Sequence, residues 1–189
     1  MHIANAPQLI TDRLLLRPPE EADLSGFIAF GAEVNTMRFL GGRPLSRAEA
    51  WRRACGLAGA WMIRGYGMFS VIERATGTWI GRVGPHYPED WPAREVGWGI
   101  LEAYTGRGYA AEAATAAIDY AFDELGWDRV SHVIDPANAP SIRLAKRLGS
   151  TRIAGTKLPA PYEGFEVDLY GQTRSTWLAR TEKSTAGPG

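Results

Sequence analysis

The sequence predicts a single mixed α/β domain, one sheet of about seven strands with helices on both faces. Three observations lead there. Short apolar or alternating runs are interleaved with longer helical patterns, in the order strand, two helices, three strands, helix, strand, helix, two strands. The 189 residues suit one domain. A composition of 45% hydrophobic and 22% charged residues is that of a chain with a sizeable core. No internal repeat or linker divides it. The domain is expected over residues 1–178, with 179–189 as a flexible, polar tail.

Leu14, Leu15 and Leu16, between Arg13 and Arg17, form a short buried strand stopped by Pro18 and Pro19. Residues 20–31 carry Leu24, Phe27, Ile28 and Phe30 at helical spacing. Glu20, Glu21 and Asp23 lie in the first turn, where the helix dipole favours acids. A glycine-rich loop holding Met37, Phe39 and Leu40 follows. Ser46 and Glu49 make a capping box that opens a second helix, which runs to about Arg64. Residues 68–73 and 79–86 are strands around a Thr76-Gly77 turn, and 87–93 is a loop with Pro88, Trp91 and Pro92. Residues 95–101 form a strand interrupted by Gly97 and Gly99. An alanine-rich helix spans 108–125 and ends at Gly126. A strand at 130–134 leads to a helix over 138–148, with Pro140 in its first turn and Gly149 at its end. Strands near Ile153 and over 165–170 complete the sheet.

The charge balance narrows the function classes. Lys plus Arg and Asp plus Glu number 21 each, which argues against nucleic acid or a membrane surface as the main partner. The one cysteine, Cys55, rules out an intrachain disulfide and multi-thiolate zinc, and no metal is expected. Cys55 reads as a small core residue of the second helix. The first eleven residues lack the pattern of a secretory leader, and no window approaches the ~20 apolar residues of a membrane span. A cytoplasmic location is the expectation.

The segment 104–113, Tyr-Thr-Gly-Arg-Gly-Tyr-Ala-Ala-Glu-Ala, joins a strand to a helix N-terminus. The first amides of a helix have no internal partner and carry the positive end of its dipole. Glycines let a ligand approach the backbone, so this turn suits a phosphate or diphosphate. Gly108-Tyr109-Ala110 lacks the Gly-Lys-Ser/Thr ending of a P-loop. A dinucleotide fingerprint at Gly106, Gly108 and Ala111 fits poorly. Five residues separate the turn from its strand, and Asp128 precedes the next strand instead of ending it. A plain helix start with packing glycines is the other reading.

Four segments in order resemble the GNAT superfamily of acetyl-CoA-dependent N-acetyltransferases, in its RimJ/RimL-like branch that modifies ribosomal-protein N-termini. They are residues 11–17 (Thr-Asp-Arg-Leu-Leu-Leu-Arg), residues 80–84 (Ile-Gly-Arg-Val-Gly), residues 95–100 running into 106–113, and residues 138–143 with Leu148-Gly149. The resemblance covers roughly 9–178. It implies a mostly antiparallel sheet whose strands at 95 and 130 splay apart, with acetyl-CoA as cosubstrate in the gap. It also implies cofactor contacts at Gly97, Trp98, Arg107, Gly108, Tyr109, Ala110, Ala111, Asn138 and Ser141. Gly97 and Gly99 then fit a bulged strand with a free amide for the thioester oxygen. Where the family's usual consensus has Gln or Arg, this chain has Thr105. Where many members have a tyrosine, it has Ala145, so a tyrosine acid is absent there.

Glu95 is the candidate general base and Ser141 the candidate group for the leaving sulfur. For Glu95 the alternative is a rim carboxylate paired with Arg82 or Arg94. For Asn138 and Ser141 it is simple helix capping. His86 ends the strand beside Glu95, and His132 reads as core. Trp91 fits either the acceptor mouth or a homodimer contact. The acceptor implied is an amine, on a small molecule or a protein N-terminus. A non-catalytic CoA-binding module is the competing function.

Overall fold

The computed structural model describes residues 7–185, with side chains described to residue 180. Eight strands form one sheet in the order β1-β2-β3-β4-β5-β6-β8-β7. They are β1 (Leu9–Ile10), β2 (Leu14–Arg17), β3 (Phe69–Glu73), β4 (Thr78–His86), β5 (Glu95–Ile100), β6 (Arg129–Ile134), β7 (Thr151–Lys157) and β8 (Glu166–Thr173). Every neighbouring pair is antiparallel except β5 and β6. The helices are α1 (Leu24–Ala32), α2 (Val34–Arg38), α3 (Arg47–Arg64), α4 (Tyr109–Asp123), α5 (Ala139–Arg147) and α6 (Arg174–Thr185). Among the described residues no helix is long and apolar enough to cross a membrane.

The eighth strand, β1, is two residues paired with Leu15 and Leu16, too short to leave a period in the sequence. The loop expected after α1 contains the five-residue α2. The segment expected to begin as tail at 179 instead continues α6, which Trp177 anchors. Its ring is 1% exposed and its Nε1 donates to Asp119 at 2.6 Å. Residues 186–189 of that expected tail lie outside the described residues. Cys55 is exposed, not core. The buried positions of α3 are Ala50, Leu57 and Trp61, which put Cys55 on another face.

Two apolar layers flank the sheet. Beneath α4, Ala113, Ala114, Ala117 and Ala121 have no exposure, and such small side chains let the helix lie close on the strands. Beneath α1 and α3 lie Phe27, Phe30, Met37, Leu57, Met68, Ile72 and Trp79. Asp23, expected only as a first-turn acid, is 2% exposed and holds α1 to the sheet. Arg17 meets it through two bonds of 2.8 Å, and Ser70 donates to it at 2.7 Å.

One irregularity sets the face of β4. Val71 pairs with Gly81 but Ile72 pairs with Trp79, so Ile80 is an extra residue in β4. A bulge of one residue reverses side-chain alternation. Beyond it Arg82, Gly84 and His86 share the α1–α3 face with Trp79. Their β5 partners Gly99, Gly97 and Glu95 share that face too. The β4–β5 register is unbroken, so β5 itself is not bulged, contrary to the expectation from its glycines.

Candidate active site

β5 and β6 part almost at once. Glu95 with Ser131 is their only ladder pair, although Ser131 N also donates to Arg94 O at 2.9 Å. His132 supplies a further bond across the divide. Its Nδ1 donates to Val96 O at 2.7 Å while Nε2 accepts from Ser150 Oγ at 3.0 Å. Gln172 Nε2 donates to the same Ser150 oxygen at 3.0 Å. Burial pushes the His132 pKa down to about 4, so it is a neutral core residue, as its place in the sequence suggested.

The parted strands open a cleft of about 1610 Å³, lined by both strands, the α4 N-terminus, the α5 N-terminus, α3 and the segment around Tyr162. At one end lies the turn into α4. Gly108 is its N-cap, left-handed at φ +83, and no side chain caps the helix. The first helical amide bond runs from Glu112 N to Gly108 O, so the amides of Tyr109, Ala110 and Ala111 point outward without partners among the described residues. Gly108 is exposed and lines the cleft with all three. These free amides, with no Cβ on Gly108, fit the diphosphate of a coenzyme A.

The turn is braced from behind. Glu112 Oε1 accepts from Thr11 Oγ1 at 2.5 Å and from Arg13 N at 2.9 Å, and Arg13 Nε donates to Oε2 at 2.7 Å. Arg13 Nη1 donates to Arg107 O at 2.9 Å. Arg107, a sequence candidate, does not line the cleft. Its Nη2 folds back to Ala103 O at 2.9 Å. The Tyr109 hydroxyl is turned away as well, bonded to Glu73.

At the fork, Glu95 is 8% exposed. Desolvation raises its pKa to about 7. The bonds it accepts, from Trp91 Nε1 at 2.7 Å and Val133 N at 3.3 Å, pull the other way, as does the charge of Arg82. It forms no ion pair with Arg82 or Arg94 among the described residues, so the rim-carboxylate reading does not hold. His86, beside it, has its pKa pushed down to about 3 by desolvation and then by Arg82 and Arg53, so it is neutral. Its ring lies 5.1 Å from that of Trp91. Trp91 therefore belongs to the cleft wall, a role its loop position had left open.

Across the fork, Trp98 Nε1 donates to Ser141 Oγ at 3.2 Å and its ring lies 4.6 Å from that of His132. Ser141 thus accepts one bond and keeps its own proton to donate. Asn138 Oδ1 accepts from Ser141 N at 3.2 Å, so the capping role of Asn138 is realised while both residues line the cleft. Gly97 lines it too, with space for a Cβ only 3.1 Å from Glu95 Oε1. The structure brings together every sequence-derived candidate except Arg107. Sequence reasoning missed the N–H that Trp91 gives Glu95, and the inward-facing Arg82 and Arg53.

Comparison with known proteins points the same way. The acetyltransferase (GNAT) domain family matches residues 13–151. The uncharacterized protein YkkB of Bacillus subtilis (strain 168) is 32% identical over 152 residues, 75% of this chain and 84% of that protein. The crystal structure of an acetyltransferase from Agrobacterium tumefaciens str. C58 superposes with TM-score 0.78 at 32% identity, covering 89% of this chain and 95% of that one. A structure named as a ribosomal-protein-serine acetyltransferase of Vibrio cholerae superposes with TM-score 0.72 at 26% identity, covering 88% and 97%.

Proposed function

The chain belongs to the GNAT family of acetyltransferases, and from that membership we propose that it passes the acetyl group of acetyl-CoA directly to a primary amine, with Glu95 as general base. Acetyl-CoA-dependent acyl transfer is the chemistry general to the family. The observation that carries the finer reading is the fork. β5 and β6 separate just beyond Glu95, so the carboxylate faces the same cleft as the free amides of α4.

The residues divide the work. The amides of Tyr109, Ala110 and Ala111 hold the diphosphate, and Gly108 leaves room for it. Asn138 and the parted edge of β5 align the pantetheine arm. The amine nitrogen attacks the thioester carbonyl, forming the C–N bond as the C–S bond breaks. Glu95 takes the ammonium proton, directly or through one water. A carboxylate with a pKa near the working pH is well matched to that task. Ser141, its oxygen already bonded by Trp98, directs its proton at the departing sulfur. Holding both substrates in one cleft supplies much of the rate. The transfer is direct, since Cys55 does not line the cleft and is in no position to carry the acetyl group.

An α-amine, with an ordinary pKa of about 8, needs less deprotonation than a lysine amine near ~10.4. The name of the Vibrio cholerae neighbour, a ribosomal-protein-serine acetyltransferase, favours a protein acceptor. Two measurements test the reading. Titration with acetyl-CoA and with NAD should give micromolar affinity for the first alone. Thiol release over a panel of peptides and amines should then find turnover, whereas tight binding without turnover on any acceptor would favour a non-catalytic CoA-binding module.

A further inference from the structure

The acceptor side of the cleft carries two cations that make no ion pair among the described residues, although the charge of Glu95 reaches Arg82. Elsewhere arginines meet carboxylates, the largely buried Arg17 with Asp23 at 2.8 Å and the exposed Arg13 with Glu112 at 2.6 Å. On the cleft rim Arg43 meets Glu49 and Arg64 meets Glu89. Arg82 and Arg53 face the cleft with no carboxylate within ion-pair distance among the described residues. Arg53 is partly occupied, its Nη2 donating to Leu40 O at 2.9 Å and Tyr162 Oη at 3.0 Å. Arg82 lies 5.7 Å over the Phe30 ring with one Nη against the Met68 sulfur, and its buried Nε has no hydrogen-bond partner among the described residues. A buried donor without an acceptor is a costly state, one that a ligand would relieve.

The bulge at Ile80 turns Arg82 to this face, and the strand positions between it and Glu95 are glycines. Of these, Gly97 and Gly99 line the cleft, with the Met68 methyl group and the Phe30 ring packed over them. Arg82 stands at one end of this stretch of β4, and His86, paired with Glu95, at the other, four residues or roughly 13 Å apart. A guanidinium fork matches a single carboxylate in shape and charge.

We propose that the acceptor carries a carboxylate, bound by Arg82 with Arg53 beside it, while its amine faces Glu95. This rests on the acetyl-transfer reading above and narrows it to one substrate class. The carboxylate belongs either to a free amino acid or to an acidic residue at a peptide N-terminus.

Acceptors paired by charge test it. Free amino acids are compared with their carboxamides. Dipeptide amides beginning with Asp or Glu are compared with those beginning with Asn or Gln. Thiol release gives kcat/KM for each. The expected result is a preference of about tenfold or more for the carboxylate in one pairing, a size suited to a charge-assisted hydrogen bond. Whichever pairing shows it identifies the source. Arg82→Gln should abolish the preference and Arg82→Lys should restore part of it, with acetyl-CoA affinity as the check that each variant is folded. Equal use of both members of every pair, or an Arg82→Gln loss that is the same for charged and neutral acceptors, overturns the proposal. If no amine turns over, the transfer reading fails separately. Calorimetry of the CoA complex with N-acetyl-aspartate and N-acetyl-glutamate against their diamides then decides. Arg82-dependent preference for the acids supports the site, and its absence refutes it.

Discussion

Glu95 shows how a single position can be tuned by opposing surroundings. Desolvation lifts its pKa to about 7, while the N–H of Trp91 and the Val133 amide hold it from rising further. Glu95→Gln should lower kcat by about 10²–10⁴-fold, the usual worth of a general base, and remove the acid limb of the kcat/KM pH profile, whose midpoint is expected near 7. Trp91→Phe deletes a bond made to the ionised form, so that midpoint should move upward. A profile unchanged in both variants would assign the base elsewhere. The type and place of Glu95 were legible from the Glu-Val-Gly-Trp-Gly run before the glycine turn. The Trp91 bond was not, because that residue sits in a proline-bounded loop whose path no local periodicity fixes.

At the scale of elements, the turn into α4 and the seat of α1 matter most. Gly108 combines a left-handed φ of +83 with a position in the cleft, so Gly108→Trp should abolish acetyl-CoA binding in a protein that still folds. Isothermal titration together with circular dichroism checks both halves of that statement. The Arg17–Asp23 pair seats α1 on the sheet. Asp23→Ala leaves the Arg17 guanidinium with only Glu20 at 3.5 Å and Pro18 O, and should cost about 2–3 kcal/mol in urea unfolding. Capping residues announced several elements in the sequence, as with Ser46 and Glu49, whose reciprocal bonds form, and Gly126 after α4. The partner of Asp23 was hidden because Ser70 lies 47 residues away. The facing of Arg82 was hidden too, since one extra residue at Ile80 inverts the alternation that a reader of β4 would assume. Helix α6 was missed because its anchor, Trp177, is a lone buried ring in a polar segment.

Over the whole molecule, the sheet splits its polar burial between two opposed titrations. His86 and His132 have folded pKa values of about 3 and about 4, below the ordinary ~6.5. The unfolded chain therefore binds more protons there, and the stability they confer above ~6.5 is lost as pH falls. Glu95 acts in the opposite sense. Its folded pKa of about 7 gives a contribution present at low pH and lost as pH rises through that value. Two histidines against one carboxylate leave a net loss of stability on acidification between about pH 6.5 and 4.5. Glu95→Gln removes the opposing group and should steepen that loss, to be read from urea midpoints across the range. The mixed sheet with helices on both faces followed from the order of patterns along the chain. The depth of the cleft did not, because it depends on where a ladder stops.

The account stands on what the parted strands hold, and a crystal structure of the chain with coenzyme A bound tests that most directly. The diphosphate is expected on the amides of Tyr109, Ala110 and Ala111, and the thiol between Glu95 and Ser141. Coenzyme A bound outside the β5–β6 fork, or a thiol remote from Glu95, would contradict it.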